Sequence, residues 1–150
     1  MGSTNVILSV KPQYAEAIVQ GKKKYELRRS IFTREDENRV YVYSTSPVSK
    51  IVGSFEVEEI VEDSPEGIWE KCHRYAAIPE ADFFRYFDGA ETAFAIKITR
   101  MQRFADPLDP RSLIVDFKPP QSFCYLAFDV HRNGRSIARG QATRRGDCQD

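Results

Sequence analysis

The sequence lacks a charge of either sign in excess: 22 lysines and arginines stand against 22 aspartates and glutamates. Global charge therefore says nothing about an anionic partner, and any nucleic-acid site has to be a local patch. Cysteine is scarce. Cys72, Cys124 and Cys148 lie far apart, are odd in number and match no metal-ligand spacing, which reads as a reduced intracellular chain rather than a disulfide framework. With His73 and His131 as the only histidines, no zinc site is expected, nor any other cofactor. No apolar run approaches the roughly 20 residues that span a bilayer. The segment Met1–Val10 is too short and too polar for a secretory signal. These absences lead to the expectation of a soluble, cytoplasmic protein with no membrane association.

What is present is an ordinary globular composition, 41% hydrophobic and 29% charged over 150 residues. That is the size of one domain, which buries roughly 68–70% of the surface of its unfolded chain. Asn5–Val10 reads as a short strand. A helix follows from Pro12, with Tyr14, Ala17 and Ile18 on one face, and ends at Gly21. Tyr25–Arg29, Arg39–Tyr43 and Ile51–Val61 read as strands, with Gly53 marking a bulge or a close backbone approach. Ser64 and Pro65 open a second helix, and Glu80–Phe87 forms a third whose Phe83, Phe84 and Phe87 pack in the core. Thr92–Phe104 alternates as a long closing strand. Residues 106–112 read as a proline-rich loop, and Pro119–Leu126 as a last turn or short helix. The order is β-α-β-β-β-α-α-β, an α+β arrangement that suggests a small, mostly antiparallel barrel of about five to six strands with flanking helices. From about Asp129 the chain turns polar, with Arg132, Arg135, Arg139, Arg144 and Arg145 among Gly, Ser and Gln. Residues 1–128 are expected to form the domain and 129–150 a mobile tail.

The stretch most suggestive of chemistry is Gly21–Arg29, GKKKYELRR. It sets Lys23, Glu26 and Arg28 close together at a helix-to-strand junction, with Glu26 and Arg28 on one strand face. Two outcomes are open. On the surface, such residues form solvated ion pairs contributing about 0–1 kcal/mol, the commoner case. Inside a cleft, Lys23 and Glu26 can serve as an acid–base pair with burial setting their proton affinities. The guanidinium forks of Arg28 and Arg29 suit phosphate.

Ser9-Val10-Lys11-Pro12-Gln13-Tyr14-Ala15, then Ile18, then Gly21 through Arg29 resembles the signature of the ASCH family, G-x-K-x-x-E-x-R after an amphipathic helix. Gly21, Lys23, Glu26 and Arg28 match its four fixed positions. The segment Val42–Pro47 is similar to the family's strand and loop facing a cleft, and the resemblance covers roughly residues 5 to 105. It implies a PUA-like β-barrel with a cleft beside the first helix and, as partner, RNA or another single-stranded nucleic acid. One subgroup hydrolyses N4-acetylcytidine through a lysine matching Lys23, a threonine nucleophile and a distant acid; Glu26 stands here in the threonine's place, and Glu70 is a loose candidate for the acid. Another subgroup has ribonuclease activity.

On that resemblance, Lys11, Lys23, Arg28 and Arg29 are candidate phosphate or base contacts. Tyr43 is the candidate stacking platform, with Ser44 and Ser46 as small polar contacts. Gln121 and Ser122 resemble a segment that follows the barrel in close relatives, suited to a base edge or to capping. Tyr14, Tyr41 and Trp69 could also stack a base, though Tyr41 and Trp69 read better as core. Three functions remain open: nucleic-acid or nucleotide binding, hydrolysis of a modified nucleoside or of RNA by Lys23 and Glu26, and protein interaction.

Overall fold

The computed structural model describes residues 5–32 and 39–126. The charged loop at residues 33–38 and the Arg-rich segment expected to form a tail lie outside the described residues. Strand β1 (Asn5–Val10) runs parallel to β3 (Arg39–Ser44) and antiparallel to β6 (Phe123–Leu126). Next come β4 (Lys50–Asp63), β5 (Ala93–Leu108) and β2 (Tyr25–Arg28), each antiparallel to its neighbour. The resulting sheet has the order β2-β5-β4-β3-β1-β6. Register shifts interrupt the β3–β4 and β4–β5 ladders, and such bulges increase twist, curling the sheet into the mostly antiparallel half-barrel that the sequence suggests. At Gly53 a Cβ would lie 2.4 Å from the Gln102 carbonyl oxygen, so the close approach expected there is real.

The curl leaves both faces of the middle strands covered. Every residue of β1 is buried, and NVILSV is accordingly near-continuous in apolar character rather than alternating. Val6, Leu8 and Val10 join Val40, Val42 and Phe55 beneath Ala15 and Ile18 of helix α1 (Pro12–Val19). On the opposite face Ile7, Tyr41, Tyr43 and Ile51 pack with Ile114 and Phe104. A third cluster lies over β2 and β5. There Ile68 and Cys72 of helix α2 (Pro65–Cys72), with Phe83 of helix α3 (Glu80–Tyr86) and Phe87 after it, cover Leu27, Ala93 and Ala95. Ser64 caps α2 as expected, its hydroxyl accepting from the Gly67 N–H at 3.1 Å.

Two segments differ from the sequence reading. Strand β5 does not stop at Phe104 but continues to Leu108. Between the pairs Gly53–Arg103 and Ile51–Leu108 it carries extra residues, and Pro107 sits among them, where a missing N–H disturbs no ladder. The segment read as a last turn or short helix contains β6 instead. Phe123 and Tyr125 lie opposite Leu8 and Val6, because β1 would otherwise present an unpaired apolar edge.

Candidate functional site: a cleft between the first and third helices

Helix α1 ends in a tight reversal. Gly21 takes φ +80°, the left-handed conformation that glycine adopts without a Cβ penalty. The N–H groups of Lys22 and Lys23 then both donate to the Ala17 carbonyl at 3.0 Å. Lys22 and Lys24 are left exposed, whereas Lys23 is only 3% exposed. Its Nζ donates to the Ala76 carbonyl and lies 4.9 Å from the centroid of the Tyr14 ring. Burial holds the amine below its ordinary proton affinity, and the negative charge of Glu26 opposes that shift.

Strand β2 supplies the other two motif residues, both buried. The Arg28 Nη1 donates to Glu26 Oε2 at 3.1 Å and to the Ser9 carbonyl at 3.0 Å, and Nη2 donates to the Ser122 hydroxyl at 2.7 Å. The Nε is buried without a partner among the described residues. The Ser9 N–H donates to the Ser122 carbonyl at 2.9 Å, and the Ser9 hydroxyl to the Pro120 carbonyl at 2.6 Å. One guanidinium thus ties β1, β2 and the 120–122 strap to the Glu26 carboxylate. Only one oxygen of Glu26 is engaged by Arg28.

These groups form part of the lining of a cleft of about 780 Å³. Lys11, Gln13 and Tyr14 form its α1 wall. Glu26, Leu27 and Arg28 come from β2, and Asp82, Arg85 and Tyr86 of α3 face them. Ser9, Thr45, Pro120 and Gln121 complete one end. Desolvation raises the Tyr14 phenol, and the charges of Asp82 and Glu26 raise it further, so both acids are felt at that ring.

The structure gathers Lys11, Lys23, Glu26, Arg28 and Gln121 around the cleft and places Ser122 against Arg28. The other candidates fall elsewhere. Tyr43 is 2% exposed, edge-on to Phe117 at 5.5 Å between centroids, and offers no face for a base. Tyr43 shares a sheet face with Tyr41, and both faces of this sheet are covered, so alternation along β3 selects no cleft. Ser44 is buried and Ser46 exposed, and neither lines the cleft; Thr45 does. Arg29 points out to the end of α3, where Nη1 donates to the Tyr86 and Asp88 carbonyls at 2.7 and 3.0 Å, a C-terminal cap. Glu70 is exposed outside the cleft, and Trp69 packs on His73 and Phe83. Sequence reasoning missed Asp82, Arg85 and Tyr86. Their i, i+3, i+4 spacing is the polar counterpart of the Phe83–Phe87 stripe and could have marked a second face.

Among the described residues no three His, Cys, Asp or Glu side chains gather as metal ligands would, and no helix is long and apolar enough to cross a membrane.

Comparison with known proteins identifies the family and the fold. The ASCH domain family model matches residues 8–102. An ASCH domain-containing ribonuclease of Zymomonas mobilis is 32% identical over 126 residues, which cover 80% of this chain and 82% of that protein. The crystal structure of ASCH from Zymomonas mobilis superposes with a TM-score of 0.77 at 32% identity, over 81% of this chain and 87% of that one. The large ribosomal subunit protein uL22 of Ureaplasma parvum is 26% identical over 81% of this chain but only 39% of its own length. With its motif, fold and family match in agreement, the chain belongs to the ASCH domain family.

Proposed function

We propose that the protein binds single-stranded RNA, admits one nucleotide to the cleft between α1 and α3, and cleaves the strand there. The observation that carries the reading is Lys23, a lysine 3% exposed beside a cleft with its proton affinity lowered by burial and Glu26 close enough to oppose the shift. A solvated ion pair, the alternative, would leave both groups in water. A buried lysine–carboxylate couple costs stability, and such groups cluster where chemistry needs them. The naming of the Zymomonas relative as a ribonuclease supports RNA as the substrate.

In this reading the oxygen of Glu26 not engaged by Arg28 takes the proton of a ribose 2′-hydroxyl. The 2′-oxygen attacks the adjacent phosphorus, and the P–O5′ bond breaks. The departing 5′-oxygen receives a proton from the Lys23 ammonium, leaving a 2′,3′-cyclic phosphate and a free 5′-hydroxyl. Arg28 holds Glu26 in position, and Lys11 at the rim meets a phosphate of the strand. A cleft of this size also admits an N4-acylcytidine, with Glu26 acting as base on water.

The test is incubation of end-labelled single-stranded RNA with the wild type and with Lys23→Ala and Glu26→Gln. Each variant should lose roughly 10²–10⁴-fold in rate, and the products should end in cyclic phosphate. Intact RNA with the wild type, accompanied by release of acetate from N4-acetylcytidine, would replace this reading with the amidohydrolase one. Neither activity would leave the cleft without hydrolytic function.

A further inference from the structure

Helix α3 brings to the cleft two charged residues that the proposed cleavage chemistry does not use. Asp82 and Arg85 both line it, and the Arg85 Nη1 donates to Asp82 Oδ1 at 2.9 Å. Pairs like this are common on helix surfaces, where spacing of three residues brings opposite charges together. This one differs in its setting. The Asp82 side chain is 44% exposed and that of Arg85 75%, so both keep atoms free, and the charge of Asp82 is felt at the Tyr14 phenol on the facing wall. The pair therefore borders the same cleft as Tyr14. Tyr14 and Tyr86 border the same space, one aromatic ring from each helix, as a base needs for stacking.

The order of hydrogen-bonding groups along such a pair is donor, acceptor, acceptor: a guanidinium N–H, then the two carboxylate oxygens. The Watson–Crick edge of guanine presents the complement, the O6 acceptor followed by the N1–H and N2–H donors. The other bases fit worse. Cytosine and adenine each place an unprotonated ring nitrogen beside their amino group, where a carboxylate is repelled. Uracil has a single N–H between two carbonyl oxygens, so the second carboxylate oxygen would face an acceptor. Adenine and uracil also lack a second donor in line.

We propose that Asp82 and Arg85 read guanine, so that the nucleotide admitted to the cleft is a guanosine. The inference rests on the RNA reading above and names the base for it. Guanine stacks beside Tyr14 and Tyr86, Asp82 accepts from N1–H and N2–H, and Arg85 donates to O6. The Glu26 and Lys23 couple acts on the sugar and phosphate attached to that base.

The test is equilibrium binding, by fluorescence anisotropy, of short labelled uridine oligonucleotides carrying one central guanosine, inosine, adenosine or cytidine. A 2′-fluoro sugar at every position removes the attacking hydroxyl and blocks the cleavage proposed above along the whole strand. Guanosine 5′-monophosphate is titrated in parallel as a ligand that needs no strand. The wild type should bind the guanosine oligonucleotide at least about fivefold more tightly than the adenosine and cytidine ones, the lower end of what a bidentate base contact discriminates. Inosine, which lacks the N2 amino group, should fall between. Asp82→Asn, which keeps the shape but loses one acceptor, should bring all four within about twofold while retaining strand binding. Two results would overturn the guanine assignment and leave the RNA reading standing: a wild type that binds all four oligonucleotides alike, or a guanosine preference that survives in Asp82→Asn. Binding of neither the oligonucleotides nor guanosine 5′-monophosphate would overturn both. Tight guanosine 5′-monophosphate binding without strand binding would keep the guanine site and remove RNA as its source. A circular dichroism spectrum and melting curve matching the wild type show that Asp82→Asn is folded.

Discussion

Among the described residues, the β4–β5 ribbon and the α1–β2 junction each bring lysine, arginine and glutamate together, and the two could hardly differ more. On the β4–β5 ribbon, Glu56 accepts from Arg39 at 3.0 Å and from Arg100 at 3.2 Å, and Lys97 meets Glu58 at 3.2 Å, all with side chains 26% or more exposed. At the α1–β2 junction, Lys23, Glu26 and Arg28 are 3%, 5% and 8% exposed. The ribbon charges face one another in water, where long side chains lose entropy on pairing and little is gained. The junction charges have been taken out of water, which costs several kcal/mol per ion before pairing returns part of it. An identical set of residue types is inexpensive in one region and costly in the other. The costly set is the one that borders the cleft, as a site that trades stability for chemistry would.

The sharpest way to break that comparison is to remove Arg28. Arg28→Ala takes away every hydrogen bond that joins β1, β2 and the 120–122 strap to Glu26 and strands a buried carboxylate. The expected loss is about 3–5 kcal/mol of stability, measured by urea denaturation. A loss under about 1 kcal/mol would place Arg28 in the same class as the ribbon charges and undo the contrast.

Lys23→Met should separate stability from function. The methionine keeps an unbranched apolar stem of similar reach. Losing the bond to the Ala76 carbonyl costs about 1–3 kcal/mol, and removing a buried amine returns a similar amount. The variant should therefore stay within about 1 kcal/mol of the wild type while losing the activity proposed above. Its advantage should also depend on pH in a defined direction. The folded protein holds the Lys23 amine below its ordinary 10.5, so between the folded value and 10.5 the unfolded chain binds more protons. Wild-type stability therefore gains from this group as pH rises through that window, and its cost is fully present below the folded value. Denaturation of both proteins from neutral to alkaline pH should show Lys23→Met comparatively most favourable at the low end. A difference that does not change with pH would show that burial does not shift this amine.

How far the sequence revealed this arrangement follows from what kind of interaction sets each part. The α1–β2 junction was legible because it is local: Gly21 permits one reversal, and within seven residues the chain places Lys23, Glu26 and Arg28. The strands β1 to β4 were legible for the same reason, β1 as a short apolar run and the others by alternation, each bounded by turn residues. The opposing wall was not, because Asp82, Arg85 and Tyr86 come from a helix more than fifty residues away, and its apolar stripe alone suffices to explain it as core. Tyr43 failed through the reverse problem. Its local signal, a tyrosine leading into a Ser-Thr-Ser-Pro loop, is overridden by Ile114 and Phe117 covering that sheet face. Strand β6 escaped notice because Phe123–Leu126 is short and gains its partner only from β1, at the other end of the chain.

The smallest expected effect lies on the ribbon and completes the contrast. Glu56 is the shared partner of Arg39 and Arg100, so Glu56→Gln removes the centre of that network. Both arginines can return to water, because Arg39 is about one third exposed along its side chain and Arg100 more than three quarters. No uncompensated charge is buried, and the amide retains one acceptor for Arg39. The expected change is about 0–1 kcal/mol, and it should shrink further in high salt, since exposed pairs are screened over a Debye length of about 8–10 Å near physiological ionic strength. Arg28→Ala offers the control, because a pair shielded from solvent is screened much less. If Glu56→Gln instead cost as much as Arg28→Ala, and cost it independently of salt, exposure would have failed as the variable that distinguishes the two regions. The junction would then need another explanation for its buried charges.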